Sequence, residues 1–331
     1  MKRKSYNLTS ILLLILVLSG CMVGPKYQKP QMEVPETYRL NTSFADSGLV
    51  LKWWDLFDDP ELKKLILIAL DENKDVRIAA SRVEQARALL GYTKADLYPR
   101  FGYEASASRG NLAGNQQFDD PFNHYYGAAS LQWEIDFWGK YRYANAAARA
   151  ELLASEYAHR AVQVAIISEV ANTYYQLLDY RQRLAVTRRT LTTRDQSLDI
   201  IEQRFEKGVV AEIDFNQAQI QRAVAAGAVP QYERAIAQTE NALHYLLGRS
   251  PGVIVTSMDL KSQPLPPHIP AGLPSGLLLR RPDILMAEQY LIAQHAQVGI
   301  AQALRFPSIS ITGLLGVASD DLSNLTSGGM A

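Results

Sequence analysis

An internal repeat places the strongest constraint on the fold, because residues 72–110 recur in degraded form 208 positions later. The shift gives these matches: Asp75-Val76 with Asp283-Ile284, Gly91 with Gly299, Ala95 with Ala303, Tyr98-Pro99 with Phe306-Pro307, Phe101 with Ile309, and Tyr103 with Ile311. Each copy has the pattern of a helix followed by a strand that begins at proline. A counterpart of residues 131–140 would fall near position 339, so we expect the second repeat to be partial and the chain incomplete.

The N-terminus has the order of a secretory signal. Three basic residues precede an apolar segment at 11–18, which is too short to span a bilayer and is followed by small residues. The end of this segment, Leu18-Ser19-Gly20-Cys21, resembles a bacterial lipobox. That resemblance predicts a signal peptide at 1–20 and acyl chains such as palmitate on Cys21, where several chains would make attachment lasting. The alternative is an ordinary signal peptide with an incidental cysteine.

Two further features bear on location and partners. Met22 follows the cysteine where an aspartate would favour inner-membrane retention, so we expect the outer membrane. The chain has 34 basic and 34 acidic residues, which makes nucleic acid an unfavourable partner. After residue 21 no run of some 18 apolar residues occurs, so any bilayer crossing would require a closed β-barrel.

The mature chain begins with a segment predicted to be a tether, at 21–52, with prolines at 25, 30 and 35 among polar residues. A first repeat is predicted at 53–247. Its first helix begins at Asp59-Pro60-Glu61, where proline and acids suit the first turn, and is predicted to run to about Leu97. Pro99 ends it.

Residues 100–138 predict a β-hairpin, because apolar and polar residues alternate on both sides of a polar segment at 111–123 that we interpret as a loop. The alternation predicts a polar face with Glu104, Gln132 and Glu134 towards water, and Phe137-Trp138 at a membrane interface. The predicted lipid-facing residues are Phe101, Tyr103, Leu131, Trp133 and Ile135. A half-buried sheet of a soluble protein would show the same alternation.

Residues 140–247 predict a long helical hairpin. Between Gly139 and Gly208 there is neither glycine nor proline, which predicts one helix on the order of 100 Å long. A second helix is predicted from Glu212 to Leu247, with a bend near Gly227 and Pro230. A Pro- and Gly-rich connector at 248–276 leads to the partial second repeat at 277–331.

Several motifs together resemble the outer-membrane efflux proteins, the TolC-like family, in the lipoprotein branch of OprM and NodT. They are the lipobox with Gly24-Pro25-Lys26-Tyr27, Trp53-Trp54 with Phe57-Asp58-Asp59-Pro60, Trp133-Glu134-Ile135-Asp136-Phe137-Trp138-Gly139, Arg204-Phe205 through Asp214, Leu246-Leu247-Gly248, and Arg280-Arg281-Pro282-Asp283-Ile284 through Phe306-Pro307. The resemblance implies a membrane β-barrel continuous with a long α-helical barrel in the periplasm, shared by a homotrimer whose chains each have two structural repeats.

The same resemblance implies a function and partners. It implies a passive exit duct for small molecules in a tripartite efflux pump, with a periplasmic adaptor (membrane fusion) protein and an inner-membrane transporter. The turn with Gly208, Val209 and Asp214 matches the periplasmic tip, where the family contacts its adaptor and where an acid takes part in gating. Gly208 can end a helix with positive φ. Asp214 could pair across protomers, or it could merely cap or solvate the second helix.

Two other classes of function are open at this point. A periplasmic coiled-coil adaptor or structural lipoprotein would use the long hairpin as an arm, although it would not need the alternating strands. An enzyme is the weakest hypothesis, because the five histidines show no metal-ligand spacing and no phosphate loop or nucleophile motif occurs. We therefore predict no catalytic residues, no metal site and no cofactor. The exported cargo is not indicated by the sequence.

Overall fold

The structure is a computed structural model that describes residues 22–31, 54, 57–113, 116–264 and 280–325. For residues 111–113 and 116–122 it describes the backbone alone, and the predicted lipobox with Cys21 lies outside the described residues. The chain forms two compact units, each assembled from separate stretches of sequence. The first unit comprises residues 1–32, 83–155 and 286–331, and the second comprises 33–82 and 156–285.

Five main helices and three strands are described. In chain order they are α1 Pro60–Glu72, α2 Lys74–Ala95, β1 Arg100–Ala113, β2 Gln116–Ile135, α3 Lys140–Glu206, α4 Glu212–Leu247, α5 Pro282–Ala303 and β3 Ile309–Ser319. Two short 3₁₀ turns, Leu260–Ser262 and Leu322–Asn324, complete the described elements. Within this part of the chain, no helix combines the length and the apolar character that a membrane crossing would need.

The first unit contains an antiparallel sheet in the order β1-β2-β3. Phe101 lies opposite Leu131 in one ladder, and Trp133 lies opposite Ile311 in the other. The sheet joins β3, which follows α5, to the hairpin that follows α2. The order of helix then strand therefore occurs at both positions that the 208-residue shift relates.

The polar segment 111–123, predicted to be a loop, is mostly strand, so that prediction was wrong. β1 continues to Ala113 and β2 begins at Gln116, with a shift of register between Gly110 and Leu112. The ladder can continue through polar residues because it is made of backbone hydrogen bonds, which do not depend on apolar side chains. Between the pairs that Gly110 and Leu112 form, β1 advances by two residues and β2 by five, so the ladder is irregular here and then continues to Ala113 and Gln116.

The second unit is built around an apolar core in which α1 packs against α3 and α4. Its largest fully buried side chains are Tyr174, Leu62, Ile66, Ile167, Leu177, Leu243, Leu247 and Val170. At the edge of this core lies the fully buried carboxylate of Asp59, the N-cap of α1. It accepts hydrogen bonds from the backbone of Glu61 and Leu62 and from three side chains: Tyr174 at 2.7 Å, Ser257 at 2.8 Å and Gln263 at 2.6 Å.

The prediction of one helix from residue 60 to about 97 was also wrong, because the helix is interrupted at Asn73. The Asn73 Oδ1 accepts hydrogen bonds from the backbone N–H groups of Asp75 at 2.8 Å and Val76 at 3.1 Å. Asparagine therefore caps the start of α2, a role that its short side chain favours. Its Nδ2 donates to the Leu246 carbonyl at 2.8 Å, which ties the break to the end of α4.

The long helical hairpin has the bounds that its composition predicts. α3 is continuous for 67 residues, from the position after Gly139 to the position two before Gly208. α4 is continuous for 36 residues although it contains Pro230, and the bend proposed there stays a prediction. Among the described residues three ion pairs join the helices within the second unit: Arg181 with Glu240 at 2.7 Å, Arg188 with Glu233 at 2.7 Å and Arg222 with Asp195 at 2.8 Å.

Candidate functional site

The turn between α3 and α4 is a glycine-terminated helix end. Gly208 has φ +70°, a conformation that glycine adopts without steric cost. Its N–H donates to the Phe205 carbonyl at 2.8 Å, and the N–H of Val209 donates to the Arg204 carbonyl at 2.9 Å. This pair of bonds is a Schellman motif, which satisfies the last carbonyls of α3 and reverses the chain.

Apolar side chains are concentrated around this turn and many of them face solvent. Val209 is 69% exposed and Ile213 is 75% exposed. Beside them the rings of Phe205 and Phe215 stack across the turn, with centroids 5.2 Å apart and planes inclined by 2°. The stack fixes the two helix ends relative to each other. Exposed apolar residues that lie together can mark a protein contact surface.

Asp214 lies in the first turn of α4, where an acid interacts favourably with the helix dipole. It faces a groove of about 360 Å³ that Arg194 and Gln217 also line. The N-cap of the helix is Ala211, whose side chain makes no capping bond. Among the described residues the Asp214 carboxylate has neither a hydrogen bond nor an ion pair, so it is available to a group from outside the chain.

The register puts the residues predicted to face lipid on one side of the sheet. Opposite residues of an antiparallel pair share a face, and alternate residues along a strand do too. Phe101 opposite Leu131, with Trp133 and Ile135 further along β2, therefore share a face with Tyr103. Phe101 is 81% exposed and Tyr103 94% exposed. Trp133 is instead half-buried, and its indole N–H donates to the Leu97 carbonyl at 3.1 Å.

The opposite face ends in a polar network at the junction of β2 and α3, which the sequence analysis missed. Glu134 accepts hydrogen bonds from Lys140 at 2.5 Å and from Tyr141 at 2.8 Å. Asp136 accepts from the backbone N–H groups of Tyr141 at 3.0 Å and Arg142 at 2.9 Å, so it supports the first turn of α3. The sequence signal for this network was Asp136, an acid four residues before the start of α3 at Lys140. An acid near the start of a helix interacts favourably with the helix dipole.

Aromatic residues surround the same junction. The Trp138 indole N–H donates to the Pro307 carbonyl at 2.9 Å, and its ring stacks on Phe306 with centroids 4.5 Å apart. Phe137 packs edge-on against Trp138 at 4.8 Å. The strand that begins at Ile309 is thereby fixed to the end of β2.

The described part of the predicted tether, residues 22–31, packs against helices of the first unit. Gly24 lies where α3 and α5 approach each other, and a Cβ built on it would be 2.6 Å from the Tyr143 hydroxyl and 2.7 Å from the Gly299 Cα. Further along, the rings of Tyr27 and His295 meet at 5.7 Å, and Lys29 pairs with Glu288 at 2.7 Å. The segment adopts neither helix nor strand.

The exposed aromatic residues Phe101 and Tyr103 of the sheet, and a long helical hairpin that ends in an apolar turn, fit the class of outer-membrane channel proteins that the motifs predict. Comparison with known proteins agrees, because the family model Outer membrane efflux protein matches residues 65–249. The chain belongs to the outer membrane efflux protein family, which confirms the resemblance drawn from its motifs.

Three similar proteins illustrate the match. The Cation efflux system protein CusC of Escherichia coli (strain K12) is 37% identical over 317 residues, which cover 94% of this chain and 68% of that protein. The Solvent efflux pump outer membrane protein SrpC of Pseudomonas putida is 36% identical over 332 residues, covering 95% and 69%. The solved structure of the outer-membrane channel OprN has a TM-score of 0.82 at 30% identity, covering 94% of this chain and 72% of that chain.

These matches support an outer-membrane efflux channel and not the periplasmic adaptor or structural lipoprotein considered as its alternative. The relatives are transport proteins. The chain is accordingly an outer-membrane component of an efflux system.

Proposed function

We propose that this chain is a protomer of a trimeric exit duct through which a tripartite pump exports small molecules. In this proposal the sheet contributes to a β-barrel in the outer membrane, and α3 and α4 contribute to a helical barrel in the periplasm. The observation that carries the proposal is the 67-residue helix, which ends at a glycine turn bearing exposed apolar side chains. A helix of that length can extend the channel far from the membrane.

The turn at Gly208 is the proposed docking site for a periplasmic adaptor protein. Val209 and Ile213 offer exposed apolar contact area, and the stacked Phe205 and Phe215 keep the turn rigid. Preorganisation of this kind lowers the entropic cost of binding. Asp214 adds an acid without a partner in the described structure, which could pair with a basic group of the adaptor or of a neighbouring protomer.

A photo-crosslinking amino acid at Val209 tests the docking site in cells that co-express a tagged adaptor of the same pump. We expect an adduct between the two proteins. The matched control is the same substitution at Val253, which is 79% exposed but lies in the connector. Adducts from Val253 and none from Val209 would show that the turn at Gly208 is not part of the adaptor interface.

Attachment to the outer membrane is proposed to occur at Cys21, through acyl chains added at the lipobox. The proposal rests on the sequence Leu18-Ser19-Gly20-Cys21. Val23, two residues later, donates a hydrogen bond to the Trp138 carbonyl at 3.5 Å. This contact would keep the lipid close to the aromatic residues at the junction of β2 and α3, and such residues are typical of a membrane interface.

The cargo is proposed to be selected by the partner transporter. Two relatives of nearly equal identity to this chain are named for chemically different cargo, a cation in one case and a solvent in the other. A wide water-filled duct could serve both. The inner-membrane transporter would then supply the energy and most of the specificity.

A further inference from the structure

Charge is unevenly distributed along the helical hairpin, although the whole chain has equal numbers of basic and acidic residues. Residues 181–195 of α3 and 222–240 of α4, which we call the arginine band, contain seven arginines and three acids. Residues 196–221, which include the turn at Gly208, contain five acids and two basic residues. A positive band therefore lies beside a negative end.

Four of the seven arginines of the arginine band are neutralised by ion pairs. Three of them form the pairs described above between α3 and α4, and a fourth pairs within α3 at 2.7 Å. The other three are exposed and form no ion pair with any described residue: Arg189, Arg194 and Arg234. The band thus carries positive charge that the described part of the chain leaves without a counter-charge.

The direction of the two helices puts Arg189 and Arg234 on the same face of the hairpin. Arg188 and Glu233 meet across the contact between α3 and α4, which run antiparallel. The next residue along an α-helix is turned by about 100°, and in two antiparallel helices these turns lead to the same side. Arg194 lies on the opposite side, where it lines the groove described above.

The surroundings of these two arginines on the shared face are polar or small and carry no charge. Positions seven residues away along a helix lie on nearly the same side, so they show what accompanies each arginine. These positions hold Gln182, Gln196, Gly227 and Asn241. No acid at these positions competes for the two guanidinium groups. A guanidinium group binds carboxylates with paired hydrogen bonds, so this face suits an anionic partner.

We propose that the face bearing Arg189 and Arg234 binds the carboxylates of peptidoglycan, the polymer of the bacterial cell wall. The inference rests on the proposed function, in which the hairpin extends through the periplasm. Peptidoglycan lies in that compartment, and its peptide stems carry free carboxylates. Lipid phosphates are other anions of the envelope, but Arg189 is the fiftieth residue of α3, which on the proposed function is far from the bilayer. The acidic end repels the same polymer, so the turn at Gly208 stays free for the adaptor.

Sedimentation with purified cell-wall sacculi tests the contact, with the full chain in a non-ionic detergent. We expect the parent protein to sediment with sacculi at low salt and to be released as the ionic strength rises. The double variant Arg189→Gln, Arg234→Gln should weaken this binding about five- to thirtyfold, because two exposed charge pairs are lost. The matched control Arg194→Gln, Arg204→Gln removes the same charge from exposed positions outside this face and should bind as the parent does.

Modification of the polymer identifies the chemical group that is bound. Sacculi whose carboxylates have been converted to amides should bind the parent protein no better than unmodified sacculi bind the Arg189→Gln, Arg234→Gln variant. Retained helical circular dichroism in both double variants excludes unfolding as the cause of lost binding. Equal binding of the parent to amidated sacculi, an equal loss in the control variant, or no sedimentation of the parent overturns the proposal.

A photo-crosslinking amino acid at Gln196, which is exposed on the same face, identifies the occupant in cells. We expect a diffuse adduct of high mass that lysozyme, which cleaves peptidoglycan, reduces to about the mass of one chain. The control position is Gln221, which lines the groove on the opposite face and should give no such adduct. A discrete, lysozyme-resistant adduct with another protein, or no adduct from Gln196, overturns the proposal.

The proposed function is tested separately, by the adaptor adduct at Val209. An adaptor adduct at Val209 without binding to sacculi rejects the peptidoglycan contact alone. Binding to sacculi without an adaptor adduct at Val209 rejects the proposed docking site alone.

Discussion

Asp59 is a buried carboxylate whose charge is stabilised, in the part of the chain that the structure describes, by hydrogen bonds and not by a basic side chain. Burial alone would raise the pKa of its carboxyl group. The hydrogen bonds from Tyr174, Gln263 and Ser257 outweigh burial and hold that pKa below its ordinary value. Burial and the hydrogen bond to Asp59 raise the pKa of the Tyr174 hydroxyl, so this group remains a donor. The residue thus joins the start of α1 to α3 and to the connector.

Replacement of Asp59 by alanine should lower the free energy of unfolding by about 2–4 kcal/mol, because a helix cap is lost and buried donors are left unpaired. Asp58→Ala, at the exposed neighbouring position, should change it by less than about 0.5 kcal/mol. Thermal unfolding in detergent measures both.

A carboxyl group with a lowered folded-state pKa stabilises fully above its unfolded pKa of about 3.9 and progressively less as the pH falls through its folded-state pKa. The difference between parent and Asp59→Ala should therefore shrink below about pH 4, and a difference that grows there would contradict the assignment.

A second prediction for a single residue concerns the lipidation of Cys21. Cys21→Ser removes the thiol that the lipobox would modify, so labelling of the protein by a clickable fatty acid should be abolished. We expect only partial loss of export, because the sheet should insert without the acyl chains. Equal labelling of the parent and of Cys21→Ser would reject lipidation at this residue.

At the scale of elements, the sheet separates an apolar face from a polar one at neighbouring positions. Tyr103 lies opposite Ala129, and Glu104 lies opposite Ala128. Both side chains are exposed in the single chain, so substitution removes little internal packing from either. The pair can therefore separate the effect of lipid from the effect of packing.

Tyr103→Arg should reduce the amount of assembled protein in the outer membrane much more than Glu104→Arg. An arginine on the lipid side near the bilayer centre costs roughly 2–4 kcal/mol, while one on the water-filled side costs little. The measurement is the oligomer recovered from membrane fractions of cells that express each variant equally. If Glu104→Arg proves the more damaging, the two faces have been assigned the wrong way round.

The elements differ in how far the sequence predicts them, and the reason is the range of the interactions involved. α3 is predictable because the absence of glycine and proline from 140 to 207 is a local property. The break at Asn73 is not, because its amide also bonds to Leu246, which is 173 positions away. The polar strands at 111–122 were missed for a similar reason, since their pairing is made by the backbone. The contact of Trp133 with Leu97 likewise depends on the folded sheet.

At the scale of the whole molecule, segments distant in sequence meet where α4 ends. Arg249 forms two hydrogen bonds to Glu72, at 2.8 and 2.5 Å, and these hold the pKa of the Glu72 carboxyl below its ordinary value. Arg181 contacts Glu240 at 2.7 Å, Thr256 at 2.8 Å and the Ile254 carbonyl at 2.7 Å, so it fixes the connector to the helical hairpin. The second unit is therefore stabilised by contacts that close long loops.

Gly248 lies at this meeting point. Comparison of Gly248 with Gly208 can separate the cost of backbone strain from the cost of steric overlap with neighbouring atoms. Gly248 and Gly208 both end a helix in a Schellman motif, with φ of +69° and +70°. An added Cβ meets nothing within 4 Å of Gly208 among the described residues, but on Gly248 it would be 2.6 Å from the Glu72 carbonyl oxygen. Either alanine substitution should cost roughly 1–2 kcal/mol from the left-handed conformation.

Gly248→Ala should therefore destabilise the protein more than Gly208→Ala does. The carbonyl it would meet belongs to the backbone at the end of α1, which cannot move without disturbing the cap at Asn73 and the contact of Asn73 with Leu246. Strain at Gly208 can instead be relieved by local opening of the turn, which leaves the core intact. Thermal unfolding followed by circular dichroism should show the larger decrease in Tm for Gly248→Ala, and equal decreases would mean that α1 and α4 do not meet as closely as the structure indicates.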